Sequence, residues 1–266
     1  MKAVVLLWRS YLRRDRALLA AMAFWLLAFE VLLVLVARSV DTGPGYAALA
    51  EIAPDFVKQA LGFDLTLLLS FRGAVALGYL HPVALASLAM AAVAIGRRPV
   101  SEIASRTVEL LATRPLGRPA PFAASLLESA TAAAVLPLAM LAGTLLGLGL
   151  TGDLAATPLW PYARMAGSAA LFLASLAGLS LLVAAASTRG RSYMQAVVTL
   201  IVASYAVDWL GRLWKPLAPL ARLSVFHYFQ PLALLTGGSA QGLWVLAAIA
   251  LAASLAALAV AERRDL

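Results

Sequence analysis

The chain has 266 residues, 63% of them hydrophobic and only 13% charged, with a mean hydropathy of +0.90. A soluble domain is nearer half apolar and a quarter charged, so the composition excludes an ordinary soluble fold and predicts an all-α integral membrane protein. It also contains no cysteine and only two histidines, His81 and His227, which excludes disulfides and thiolate chemistry and leaves too few ligands for a histidine metal centre.

The formal charge of +8 points to orientation within a bilayer and not to nucleic acid, because the arginines flank apolar stretches instead of forming one patch. Six such stretches approach the roughly 20 residues needed to cross a hydrocarbon core: residues 17–37, 74–96, 130–150, 162–186, 193–210 and 243–260. The first is too long for a cleaved signal and reads as a retained helix.

Residues 1–16 precede the first span. Val5, Trp8 and Leu12 fall on one helical side, and Arg9, Arg13 and Arg16 on another. This pattern predicts an N-terminal helix lying in the membrane interface. Within span one stands Glu30. A charge at bilayer depth costs several kcal/mol, so Glu30 is a candidate for a transport path; pairing with Arg72 or Arg38 is the competing, structural expectation. Residues 38–66 form an exterior loop, with a short surface helix over 54–62 started by Pro54 and stopped by Gly62. Span two is expected to bend at Pro82.

Residues 97–118, RRPVSEIASRTVELLATRPLGR, are polar between two apolar spans. Ile103, Val108, Leu110 and Leu111 form an apolar stripe on one helical face. Pro99 suits a first turn, Ser101 a cap with Glu102 beside it, and Pro115 with Gly117 a stop. The segment is expected to be a separate amphipathic helix whose face docks into a groove of another protein. Span three contains Pro137 and the small-xxx-small sequence GTLLG at 143–147, read as internal packing. Trp160 marks an interface. Asp208 and Arg212 are one helical turn apart and are expected to pair. Residues 212–242 are broken by Pro216, Pro219, Pro231 and Gly237–Gly238, and fit short exterior or re-entrant helices before span six.

Fourteen basic residues lie on one side: Lys2, four arginines within 9–16, Arg97, Arg98, Arg106, Arg114, Arg118, Arg189, Arg191, Arg263 and Arg264. Seven lie on the other: Arg38, Lys58, Arg72, Arg164, Arg212, Lys215 and Arg222. The asymmetry places both termini and the 97–118 segment in the cytoplasm.

The run RTVELLATRPLGR at 106–118 resembles the signature of the ABC-2 family of ATP-binding-cassette permeases: an acidic residue, then GT-L-E-L-L, then R/L-P-hydrophobic-S/G-R. Thr107, Glu109, Leu110, Leu111, Arg114, Pro115 and Arg118 match it, and Glu102 stands at the upstream acidic position. Arg106 replaces the usual glycine, which narrows the turns open to the chain there. The similarity extends to the whole layout and is nearest to the small permeases of the multidrug and nitrous-oxide-reductase-maturation type. It implies one transmembrane domain over 1–266 and a coupling helix, with Ile103 and Arg106 beside the matched residues, that touches a separate ATPase. It further implies two ATPase subunits that bind ATP and Mg, a second identical or related permease, surrounding lipid, no cofactor on this chain, and export across a bacterial or archaeal cytoplasmic membrane. A secondary transporter driven by an ion gradient and, behind it, a membrane-embedded enzyme are the competing classes; no GxxxxGK[ST] phosphate loop or clustered catalytic set is present in the sequence.

Overall fold

The computed structural model describes residues 2–39, 67, 70–104, 119–187 and 189–263, the side chains of 103 and 104 excepted. All regular structure among them is helical. The elements are α1 (Lys2–Ser39), α2 (Phe71–Leu80), α3 (Pro82–Ala104), α4 (Ala120–Thr151), α5 (Trp160–Ala186) and α6 (Gly190–Leu213). A 3₁₀ turn at Lys215–Leu217, the short helices α7 (Ala218–Ala221), α8 (Val225–Tyr228) and α9 (Pro231–Leu235), and finally α10 (Gln241–Glu262) complete the order. Six helical stretches are long and apolar enough to span a membrane: α1, α2 with α3, α4, α5, α6 and α10. The expected helix over 54–62 and residues 105–118 lie outside the described residues.

Contacts show that successive spans alternate in direction. At one end the N-terminal half of α1 meets the end of α3, and Val100, Phe122, Ala184, Tyr193 and Ala261 share a small core. This end carries most of the arginines and is called the basic face below. At the other end Arg38 pairs with Asp153 at 3.5 Å, and the Tyr162 hydroxyl donates to the Arg72 carbonyl at 3.3 Å. Trp160, Trp209, Trp214 and Trp244 are exposed at the helix ends of that opposite face, the position of an interfacial aromatic belt.

α5 is the central helix. It packs against α3, α4 and α10, and its serines serve close contacts: the Ser175 hydroxyl lies 2.8 Å from the carbonyl of Leu246 on α10. Gly178 lets the same helix approach, since a Cβ there would lie 3.1 Å from the Ala250 carbonyl. Between lipid-soluble helices such small-residue contact replaces the hydrophobic drive that water supplies elsewhere. Phe172 anchors the short helices, with Phe229 stacked on it at 4.5 Å and Phe226 edge-on at 5.1 Å.

Three expectations change. Residues 1–16 do not form a helix distinct from span one: α1 runs unbroken from Lys2 to Ser39. Its buried residues Tyr11, Met22, Leu26, Glu30, Val34 and Ala37 follow one stripe, so the basic-face end packs on the bundle. Second, Pro99 does not start a helix. It is buried inside α3, and the Ser101 hydroxyl donates to the Arg98 carbonyl instead of capping. Packing of Val100 against the basic-face core holds the helix through the proline, a tolerance common in spans whose neighbours stabilise them. Third, the helix that carries span three already begins at Ala120, so the apolar residues ahead of 130 belong to it. The bend at Pro82 is a full break: His81 is extended (φ −60°, ψ 136°), as a residue before proline prefers, and its Nδ1 accepts from the Val83 N–H at 3.3 Å.

Candidate functional site

The described part of the predicted coupling segment is 97–104, the last turns of α3, and these are fastened to α1. The Arg98 guanidinium donates through Nε to the Asp15 carboxylate at 2.7 Å and pairs with its other oxygen through Nη2. The Tyr11 hydroxyl donates to Glu102 in a short hydrogen bond, and Arg14 lies 3.9 Å from the same carboxylate. Arg98 also stands 5.7 Å above the Tyr11 ring. From α4, Glu128 faces the cluster next to Asp15 and Arg98, 1% exposed and with one carboxyl oxygen unpartnered. Nearby, the Trp8 indole donates to Thr131 at 3.2 Å. Three carboxyls and two guanidiniums thus bind the basic ends of α1, α3 and α4 into one unit.

Because the Arg98–Asp15 pair is mostly shielded, with side-chain exposures of 15% and 19%, removing one partner strands the other. Arg98→Ala is expected to destabilise the bundle by about 2 kcal/mol, read as a lower unfolding midpoint in detergent. Arg13→Ala, at an exposed position, serves as the control with no measurable effect; equal midpoints for both variants would show that the clamp contributes nothing.

Glu30 is fully buried with no basic side chain at its carboxyl among the described residues, and the Thr144 hydroxyl of α4 faces it. The expected pairing with Arg72 or Arg38 is absent: Arg38 instead reaches Asp153. The helical stripe of α1 turns Glu30 inward, where two glycines make room for it. A Cβ at Gly78 would fall on the Glu30 carboxyl, and one at Gly143 would meet the Leu27 carbonyl and the Glu30 Cβ. Gly147 receives Val34 in the same way, so GTLLG is the seat of α1 on α4. Tyr79 and Thr144, whose hydroxyls are 3.3 Å apart, line the same interface.

At the opposite face Arg212 binds Asp208 through Nε at 3.1 Å and Nη2 at 2.8 Å, as the one-turn spacing predicts. His227 adds a contact to the other Asp208 oxygen at 3.3 Å, joining α6 to α8. This group borders a cavity of about 220 Å³ that also touches Leu80, Pro82 and Phe226.

Of the predicted site residues, Glu102 lies in the clamp and Ile103 in the backbone of α3, while Arg106, Thr107, Glu109, Leu110, Leu111, Arg114, Pro115 and Arg118 lie outside the described residues. Sequence reasoning missed Tyr11, Asp15, Arg98 and Glu128. Two signals were there: Asp15 is the one acidic residue among the N-terminal arginines, and Glu128 is the sole charge in 119–151. Among the described residues no group of three or more His, Asp or Glu side chains has the arrangement of a metal site.

No protein-family model matches the chain, and neither does any curated protein. What composition, span count and packing define is an all-helical, multi-pass membrane protein with six spans and short helices before the last.

Proposed function

We propose that this chain is the membrane-spanning subunit of an ABC-2 type transporter, exporting its cargo with energy from ATP hydrolysed on a separate subunit. The structural observation that supports this reading is the clamp. α3 continues from span two to Glu102, where Tyr11, Arg14 and Asp15 of α1 hold it. A partner that pushes on the segment after Ala104 therefore moves two spans together, which is what a coupling helix needs. The remaining support is the resemblance of 106–118 to the family signature, with Glu109, Leu110, Leu111, Arg114, Pro115 and Arg118 in matching places. In this reading the basic face is cytoplasmic, following the positive-inside bias. The ATPase groove receives Ile103, Leu110 and Leu111, while Arg106, Glu109 and Arg114 set the register at its rim. Two permeases and two ATPases make the working unit, in a bacterial or archaeal cytoplasmic membrane.

The test uses the absence of native cysteine. A single cysteine at Ala112, carrying a photo-crosslinker in native membranes, is expected to capture a soluble ATPase. The capture should disappear when Leu110 and Leu111 are changed. Good expression with no ATPase captured from Ala112 or its neighbours overturns the reading.

One observation favours a second reading. Glu30 is a carboxyl fully buried at membrane depth with no basic partner among the described residues, the kind of group that an ion-driven secondary transporter uses. Transport that persists in ATP-depleted vesicles under an ion gradient would select it.

A further inference from the structure

The clamp uses one side of α1, and the side it leaves out is charged. Tyr11 and Asp15 turn inward, to Glu102 and Arg98 of α3. Arg9, Arg13 and Arg16 are exposed instead, and none of the three forms an ion pair among the described residues. Their spacings of four and three residues place them on one stripe, a helical turn apart. The same stripe continues down α1 as the exposed Ala17, Ala20 and Phe24, and Leu6 stands exposed above it. Like charges at this spacing repel one another. Asp15, the one acid among them, already binds Arg98 on the inner side. The bias that orients spans asks only for basic residues on one side of the membrane. It does not ask for them on a single outward stripe with the acid turned in, and such a stripe calls for an anion from outside the chain.

Depth identifies the anion. The Trp8 indole donates to Thr131 of α4, and Asp15 lies beside Glu128 of the same helix. Thr131 comes twenty residues before Thr151, the last residue of α4. That is roughly 30 Å, the thickness of one hydrocarbon core. Residues 8–16 of α1 therefore stand at the rim of the core on the basic face, the level of that leaflet's phosphates. An arginine stem can lie along apolar surface while its guanidinium reaches a headgroup, and the planar fork grips phosphate oxygens two at a time. A zwitterionic lipid brings its own cation and leaves the charge of the stripe uncancelled. A soluble acidic partner cannot follow a stripe that runs on into the bilayer at Ala20 and Phe24.

We propose that the Arg9, Arg13 and Arg16 stripe of α1 is a binding site for anionic phospholipid of the basic-face leaflet, its guanidiniums holding lipid phosphates while the acyl chains lie along Ala17, Ala20 and Phe24. The opposite side of the same helical turns forms the clamp, so bound lipid steadies α1 where it holds α3. The site requires the helical fold but not ATP coupling, and it stands or fails separately from the transporter reading.

The full-length protein in detergent is mixed with equal amounts of phosphatidylglycerol and phosphatidylethanolamine bearing the same acyl chains, and bound lipids are counted by native mass spectrometry. Phosphatidylglycerol should bind roughly tenfold tighter or more. Arg9→Gln, Arg13→Gln and Arg16→Gln together should cut that preference about fivefold or more. A charge-matched control, Arg189→Gln, Arg191→Gln and Arg263→Gln, changes exposed arginines elsewhere on the same face and should leave the preference within about twofold. A second measurement needs no variant. Phosphatidylglycerol with a diazirine on its headgroup, dispersed in phosphatidylcholine vesicles that hold the protein, should label residues 5–17 severalfold above the starts of α4 and α6. Equal affinity for the two lipids overturns the proposal, and so do equal losses in the two triple variants. Labelling spread evenly over the basic ends of all the spans also overturns it, as does a crosslink from position 13 to a second copy of the chain or to a soluble acidic protein in place of lipid.

Discussion

Gly143→Ala is expected to cost this protein about 3 kcal/mol of stability. The added carbon would strike the backbone of α1, at the Leu27 carbonyl and Cα. Backbone cannot rotate aside, so α1 and α4 must separate along their shared seam. Gly78→Ala differs in kind, because the carbon it adds meets the carboxyl end of Glu30. That side chain has no room to move while fully buried, so the variant is also destabilised, but Glu30→Ala should relieve it. The two sites therefore predict opposite outcomes in a double-mutant cycle: coupling of roughly 1–3 kcal/mol between Gly78 and Glu30, and little rescue of Gly143→Ala by Glu30→Ala. Denaturation in detergent micelles measures both. An unchanged midpoint for Gly143→Ala would mean that α1 does not seat on α4 at this level.

Leu110→Asp combined with Leu111→Asp is expected to abolish coupling. If these leucines fill an apolar groove on the ATPase, two buried carboxylates lose that contact and add a desolvation cost with no counter-charge. The ATPase should no longer co-purify, and ATP-driven transport in inverted vesicles should fall to background, at least a hundredfold. The spans should be untouched, since the changes lie beyond the last described turn of α3, so expression and unfolding midpoint stay at the parent values. Glu109→Lys should weaken the same association through charge reversal at the rim. Normal transport by the double variant at normal expression would remove the coupling assignment. The clamp makes a related distinction: Arg98→Ala loosens the lever while leaving the docking face intact, so it should reduce transport more than ATPase binding.

Apolar length and basic asymmetry made six spans and their alternation legible, because a hydrocarbon core of fixed thickness sets the length of any helix that crosses it. Pro82 announced the break in span two, since proline excludes its predecessor from the helical region whatever surrounds it. GTLLG and the Asp208–Arg212 pair were readable for a similar reason, each being a local spacing on one helix. Pro99 shows the limit: it carried the local signal of a helix start, but the packing of Val100 overrode it. The charges of Glu30 and the clamp stood out in the sequence, but what each of them meets did not. Hydropathy separates membrane from water but not lipid from protein, so the rotation of α1 about its axis is invisible in its sequence. Only the close approach of α4 at Gly143 and Gly147 turns Glu30 inward, away from Arg38 and Arg72. Only the crossing of α1 with α3 brings Asp15 to Arg98, 83 positions apart. Length and charge determined how many times this chain crosses the membrane; contact between helices decided which of its few charged groups meet.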